Sequence, residues 1–109
     1  MASILLTLSS SPDTANGQRA LILAGSLVDQ GHALTVCCLQ DAVLFGSNHA
    51  PIEARRALDR LVARGARCFV LGEDLALRGL EPGPRAATVD YAGLVALLAD
   101  EHDRVIGTL

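Results

Sequence analysis

The chain has 109 residues, of which 50% are hydrophobic and only 3% aromatic, with 9 basic and 12 acidic side chains for a formal net charge of −3. That length suits one domain over residues 1–109, able to bury a core of Leu, Val, Ile and Ala without staples. The acidic balance supplies no general field for a polyanion, and no apolar run approaches the roughly 18 residues that cross a bilayer, so neither direct nucleic-acid binding nor a membrane partner is expected.

Met1 leads straight into a strand-like Ser3 to Leu8, with no basic region and no small-residue cleavage site, which makes the cytoplasm the expected location. Asp13 to Gln30 then sets Ala20, Leu23, Ala24 and Leu27 on one helical face and stops at Gly31, a residue suited to a left-handed cap. Ala33 to Leu39 is a continuous apolar run, as expected of a strand buried on both faces. From Pro51, suited to a first helical turn, Ala54, Ala57, Leu58, Leu61 and Val62 repeat at helical spacing up to Gly65. A third strand at Arg67 to Leu71, a short helix at Glu73 to Leu77 and a turn-rich Glu81-Pro82-Gly83-Pro84 loop follow. Ala86 to Val89 reads as a fourth strand. Asp90 then caps a helix whose Tyr91, Leu94, Val95, Leu98 and Ala99 are expected to face inward, and Val105 to Thr108 makes a fifth strand.

Alternating strands and helices predict an α/β fold, a three-layer α/β/α domain with about five mostly parallel strands and its sites at the carboxyl ends of those strands. Those ends are Ser9 to Thr14, Gln40 to Phe45, Leu71 to Asp74 and Val89 to Tyr91. The hydroxyl-rich Ser9 to Thr14 loop invites comparison with the phosphate loop of flavodoxin-like FMN modules. Asp13 would repel a phosphate there, and Phe45, Phe69 and Tyr91 are the only rings available to stack on a flavin, so a helix cap is the better reading. No cofactor is expected.

Every basic residue is Arg, and on the second long helix Arg56, Arg60 and Arg64 fall in one stripe, with Asp59 placed to neutralise Arg55. A solvated outer face is the simplest account of it. Glu73 and Asp74 open the short helix and read as caps for its free N–H groups, with Arg78 placed to pair with Asp74. His32 follows Gly31 in a turn, and His49 lies in the loop before Pro51. His102, among the acidic Asp100, Glu101 and Asp103, reads as a cap at the end of the last helix. Cys37, Cys38 and Cys68 all lie inside predicted strands, where cysteine behaves as a small hydrophobe. Cys37 and Cys38 point to opposite sheet faces, and no Cys/His spacing suggests a metal.

The run Val70 to Leu80 (VLGEDLALRGL), the Asp90-Tyr91 helix start, the terminal Glu101-His102-Asp103-Arg104 and Asp41 after the second strand together resemble the TusB/DsrH family of sulfur-relay subunits. Ala42 stands where that family carries a Gly, and the first 34 residues look more like the sister TusD/DsrE subunits. The resemblance implies a DsrE/YchN-like fold and a cytoplasmic relay complex, serving tRNA 2-thiouridine synthesis or sulfur oxidation. It also implies TusC/DsrF-like and TusD/DsrE-like partners, with a TusA-like carrier reached indirectly. In the sulfur-carrying sisters the reactive Cys sits seven residues before the Arg of an Arg-Gly pair. Counting back from Arg78, that slot holds Leu71. The resemblance therefore implies a subunit that is not itself an enzyme, with Asp41, Glu73, Asp74, Arg78, Tyr91 and His102 as candidate interface or strand-end residues. The alternative is a stand-alone DsrE-like homo-oligomer whose own Cys38 or Cys68 carries persulfide sulfur.

Overall fold

The computed structural model describes residues 2–100 and 102–108, so Met1, Glu101 and the expectations placed on them lie outside it. In chain order the elements are β1 (Ser3–Leu8), α1 (Ala15–Asp29), β2 (Ala33–Cys38), a 3₁₀ segment (Gln40–Gly46), α2 (Ile52–Ala63), β3 (Arg67–Leu71), α3 (Gly72–Leu77), β4 (Ala87–Val89), α4 (Tyr91–Ala99) and β5 (Arg104–Gly107). The five strands form one parallel sheet in the order β4-β3-β2-β1-β5. The three-layer α/β/α expectation is met.

The order explains where the helices go. The chain steps from β1 to β4 in one direction across the sheet and then returns to the far side of β1 for β5. Because parallel crossovers are right-handed, the reversal puts α4 on the opposite face from α1 and α2. Alternation along the strands divides the side chains the same way. Ile4, Leu6, Leu8, Val36, Cys38, Cys68 and Val70 join Ala20, Ala24, Leu27, Ala54, Leu58 and Leu61 in one buried cluster beneath α1 and α2. Leu5, Cys37 and Leu71 are buried on the other side.

Local chemistry sets the helix ends. Thr14 starts α1, its hydroxyl accepting from the Gly17 N–H at 3.0 Å while donating to the Ser11 carbonyl. A Cβ on Gly17 would collide with that same carbonyl, so the loop can fold this tightly only over glycine. Gly31 stops the helix at φ +88°, as its position predicts. The hydroxyl-rich loop is thus a cap, with Ser11 bonded to the Asp13 carboxylate. The Pro-Gly loop is pinned rather than free: the Gly83 N–H donates to the Gly46 carbonyl at 2.8 Å and the Asn48 N–H to the Glu81 carbonyl at 2.9 Å.

Two expectations fail here. The inward set assigned to α4 is wrong: no residue of the helix is fully buried, only Leu94 and Leu97 of its large side chains are half-buried, and Tyr91 and Val95 are 57% and 63% exposed. A helix that is apolar on every side has no periodic signal to say which side faces the sheet. Asp59 does not neutralise Arg55 either. It pairs with Arg85 at 3.0 Å, brought over from the Pro-Gly loop, while Arg55 donates to the Ala50 carbonyl and Arg64 pairs with Asp29 of α1. No helix among the described residues is long and apolar enough to cross a membrane.

Candidate functional site

The carboxyl ends of β1, β2 and β3 open into a cleft of about 440 Å³, closed on one side by α4. Leu8, Leu39, Leu71 and Leu94 make its apolar walls, and Thr7, Ser9, Gln40, Asp74, Tyr91 and Thr108 supply its polar groups. Such a cleft follows from the topology, because the loops leaving β1 and β4 go to opposite faces of the sheet.

Its frame is a set of side-chain bonds between different loops. Asp74 Oδ2 accepts from the Gln40 N–H at 2.6 Å, so the start of α3 grips the end of β2. Gln40 sits in the left-handed region at φ 51°, alone among non-glycine residues of the described chain. A side chain pays of the order of 1 kcal/mol for that conformation, and the Asp74 carboxylate offsets it. Arg78 donates to Asp41 Oδ1 through Nη2 at 2.9 Å and through Nε at 3.1 Å, and its Nη1 donates to the Asp74 carbonyl at 3.0 Å. The Asp74 carboxylate itself is 3.9 Å from Arg78, so the pairing expected within the helix is the weaker of the two. Glu73 Oε2 accepts from the Tyr91 N–H at 3.2 Å, tying α3 to the first turn of α4.

The two carboxylates are therefore caps, but not of their own helix. They satisfy backbone donors at the starts of two other segments, Gln40 of the 3₁₀ segment and Tyr91 of α4. Across the cleft, Ser9 Oγ donates to the Thr108 carbonyl and Thr108 Oγ1 to the Thr7 carbonyl, closing the β1 and β5 side.

Five of the six candidate residues thus meet at one end of the sheet: Asp41, Glu73, Asp74, Arg78 and Tyr91. His102 does not. α4 ends at Ala99, and His102 lies in the turn before β5 at the amino end of the sheet, its Nδ1 3.3 Å from Ser3 Oγ and its Nε2 buried without a partner among the described residues. It is no helix cap. His32 lies nearby, its Nδ1 accepting from the Ala2 N–H at 3.0 Å. Ser9 and Gln40 were marked in the sequence only as the first residues of strand-end segments, and Thr108 only as the end of the fifth strand.

The thiols are inaccessible. Cys37 and Cys38 are 0% exposed and Cys68 is 6% exposed. Burial, with Cys68 as a lesser cause, pushes Cys37 up to about 11. Hydrogen bonding with Cys68 and then burial push Cys38 well above its ordinary value. These are the opposite of the conditions that make a reactive thiolate. At the strand end itself, the cleft wall carries the Leu71 side chain.

Residues 16–105 match the family model described as "DsrH like protein". No curated protein matches in sequence. Among solved structures, the YchN protein of E. coli superposes with a TM-score of 0.83 at 20% identity, covering 98% of this chain and 99% of that one.

Proposed function

We propose, on the premise that this chain belongs to the DsrH-like family, that it is a non-carrier subunit of a sulfur-relay complex. The observation that carries this reading is the burial of all three cysteines. A relay cysteine has to present a thiolate to an incoming persulfide sulfur and then give the sulfane sulfur up to the next thiol. All three thiols are buried away from such an exchange, and those of Cys37 and Cys38 are also held above the ordinary thiol range.

The chain's part is then positional. The Asp74 and Arg78 bonds hold the ends of β2, β3 and α3 as one rigid rim, with Glu73 extending it to Tyr91. Such a rim presents a fixed surface to TusC/DsrF-like and TusD/DsrE-like subunits, one of which supplies the persulfide. A TusA-like carrier is reached through them. The end product, a thiolated tRNA uridine or an oxidised sulfur species, depends on the acceptor, and the cytoplasm is the compartment this chemistry needs.

Intact-mass spectrometry after incubation with a cysteine desulfurase, with and without the sister subunits, tests the proposal. The expected result is no added sulfur on this chain while the complex forms and a sister gains one. An added sulfur that disappears in Cys38→Ser or Cys68→Ser would replace the scaffold with a carrier and favour the stand-alone homo-oligomer.

A further inference from the structure

A small pocket of about 120 Å³ lies where the Pro-Gly loop crosses α2 and the end of the 3₁₀ segment. Phe45, Ala50 and Leu58 form its floor, and all three are buried. The polar atoms beside that floor are already satisfied. Ser47 Oγ donates to the Leu44 carbonyl at 2.9 Å and accepts from the His49 N–H at 3.2 Å, and the Gly46 carbonyl accepts from the Gly83 N–H at 2.8 Å. A guest on this floor meets carbon and gains nothing from a polar group placed there. The loop wall is fixed without a guest, because Asn48 and Glu81 also bond each other, N–H to carbonyl at 2.9 Å and N–H to Oδ1 at 3.3 Å. The pocket is therefore preformed.

Its mouth has the opposite character. Arg55 and Arg85 line the pocket from its exposed side, together with Asp59 and Pro84. Arg85 meets Asp59 Oδ1 through Nε alone, at 3.0 Å, and Arg55 meets the Ala50 carbonyl through Nη2 alone, at 3.3 Å. A guanidinium carries five N–H donors, so each keeps others without a partner among the described residues. Two guanidinium groups against one carboxylate leave the mouth with one net positive charge. Glu53 of α2 lines the separate groove toward α1. One net charge suits a monoanion, whereas a dianion would meet Asp59 with no second cation to offset it.

We propose that this pocket binds a small monocarboxylate with a short, branched alkyl body, the alkyl group resting on Phe45 and Leu58 and the carboxylate taking the free N–H groups of Arg55 and Arg85. Its volume suits a body of about four to six carbons, since apolar cavities of about 150 Å³ take up benzene. A free short-chain acid offers this chemistry, and so does the carboxyl-terminal Leu or Val of a polypeptide. The pocket shares no lining residue with the cleft at the carboxyl end of the sheet, and the proposal does not depend on the sulfur-relay reading.

Amide-detected NMR titration of the full chain with sodium isovalerate, at an ionic strength held constant with sodium chloride, tests it. Saturable shifts centred on Gly46, Leu58, Gly83 and Arg85 are expected. Acetate keeps the charge without the body, and isovaleramide keeps the body without the charge; each should bind at least about tenfold more weakly. Arg55→Gln and Arg85→Gln change exposed side chains, with folding checked by far-UV circular dichroism, and should each weaken isovalerate binding roughly tenfold. Arg60→Gln, on the same helix but outside the pocket, should leave it unchanged. N-acetylglycyl-leucine separates the two sources: binding as tight as that of isovalerate assigns the site to a chain terminus, and much weaker binding assigns it to the free acid. Isovalerate shifts that never saturate overturn the proposal. So does acetate or isovaleramide binding as well as isovalerate, or Arg60→Gln weakening binding as much as Arg55→Gln, because the protein would then be attracting anions or carbon without a site.

Discussion

The two faces of the sheet are built to different standards. Under α1 and α2, side chains from seven elements interlock in a cluster that includes Leu6, Val43, Phe45, Leu58 and Val70, all fully buried or nearly so. Over the opposite face, α4 lies with only Leu94 and Leu97 of its large side chains half-buried, and is tied at its amino end: Asp90 accepts from the Gly93 N–H at 2.7 Å and Glu73 from the Tyr91 N–H. One layer is stabilised by packing and the other by capping. The lesson is that in so small a domain the second layer can be attached without being finished, leaving apolar surface for another chain.

The contrast can be broken most forcefully on the packed side. Phe45→Ala removes a 2% exposed ring and should cost about 3–5 kcal/mol in chemical denaturation, the usual range for emptying a well-packed aromatic site. A loss below about 1 kcal/mol would mean that this face, too, is loosely filled.

Alkaline pH probes the opposite face through Cys37. Its folded thiol titrates near 11 against an ordinary 9.0, so above pH 9 the unfolded chain loses a proton that the folded chain keeps. Unfolding then releases a proton, and stability falls as pH rises from about 9 to about 11. The limiting slope is about 1.4 kcal/mol per pH unit for one such group. Cys37→Ala should flatten the slope measured by thermal melts in that window, while Cys38, raised in the same direction, sustains what remains.

Asp90→Ala removes the α4 cap, and a loss of about 1 kcal/mol is expected, with faster amide exchange confined to the first turn of that helix. Val95→Ala, on the same helix but pointing to solvent, should change monomer stability by less than about 0.5 kcal/mol. If the order of these two were reversed, α4 would be held by side-chain burial after all.

Much of this was legible before the fold was known. Strand and helix positions came within a residue or two, because the Ala54, Leu58, Leu61 repeat carries a helical period and the apolar run from Ala33 to Leu39 is too short for a helix and follows the Gly31 stop. The burial of the three cysteines was legible too, from their places inside strands. The geometry was legible in part: Asp41, Glu73, Asp74, Arg78 and Tyr91 lie together at one end of the sheet, but the carboxylates take other partners than expected and His102 belongs to the other end of the molecule. A carboxylate next in sequence to its helix start is a cap in either account, and only the approach of another loop decides whose N–H it receives.

By itself, then, the amino-acid order determined the elements, their alternation and the class of fold, since these rest on local periodicity and on turn residues such as Gly31. Tertiary structure alone decided the strand order, the face taken by α4, the Asp74 grip on Gln40 and the pairing of Asp59 with Arg85. The reason is physical. Periodicity records which side of an element avoids water, whereas α4 avoids it on every side, and a charged group takes the partner that the packed backbone brings within reach.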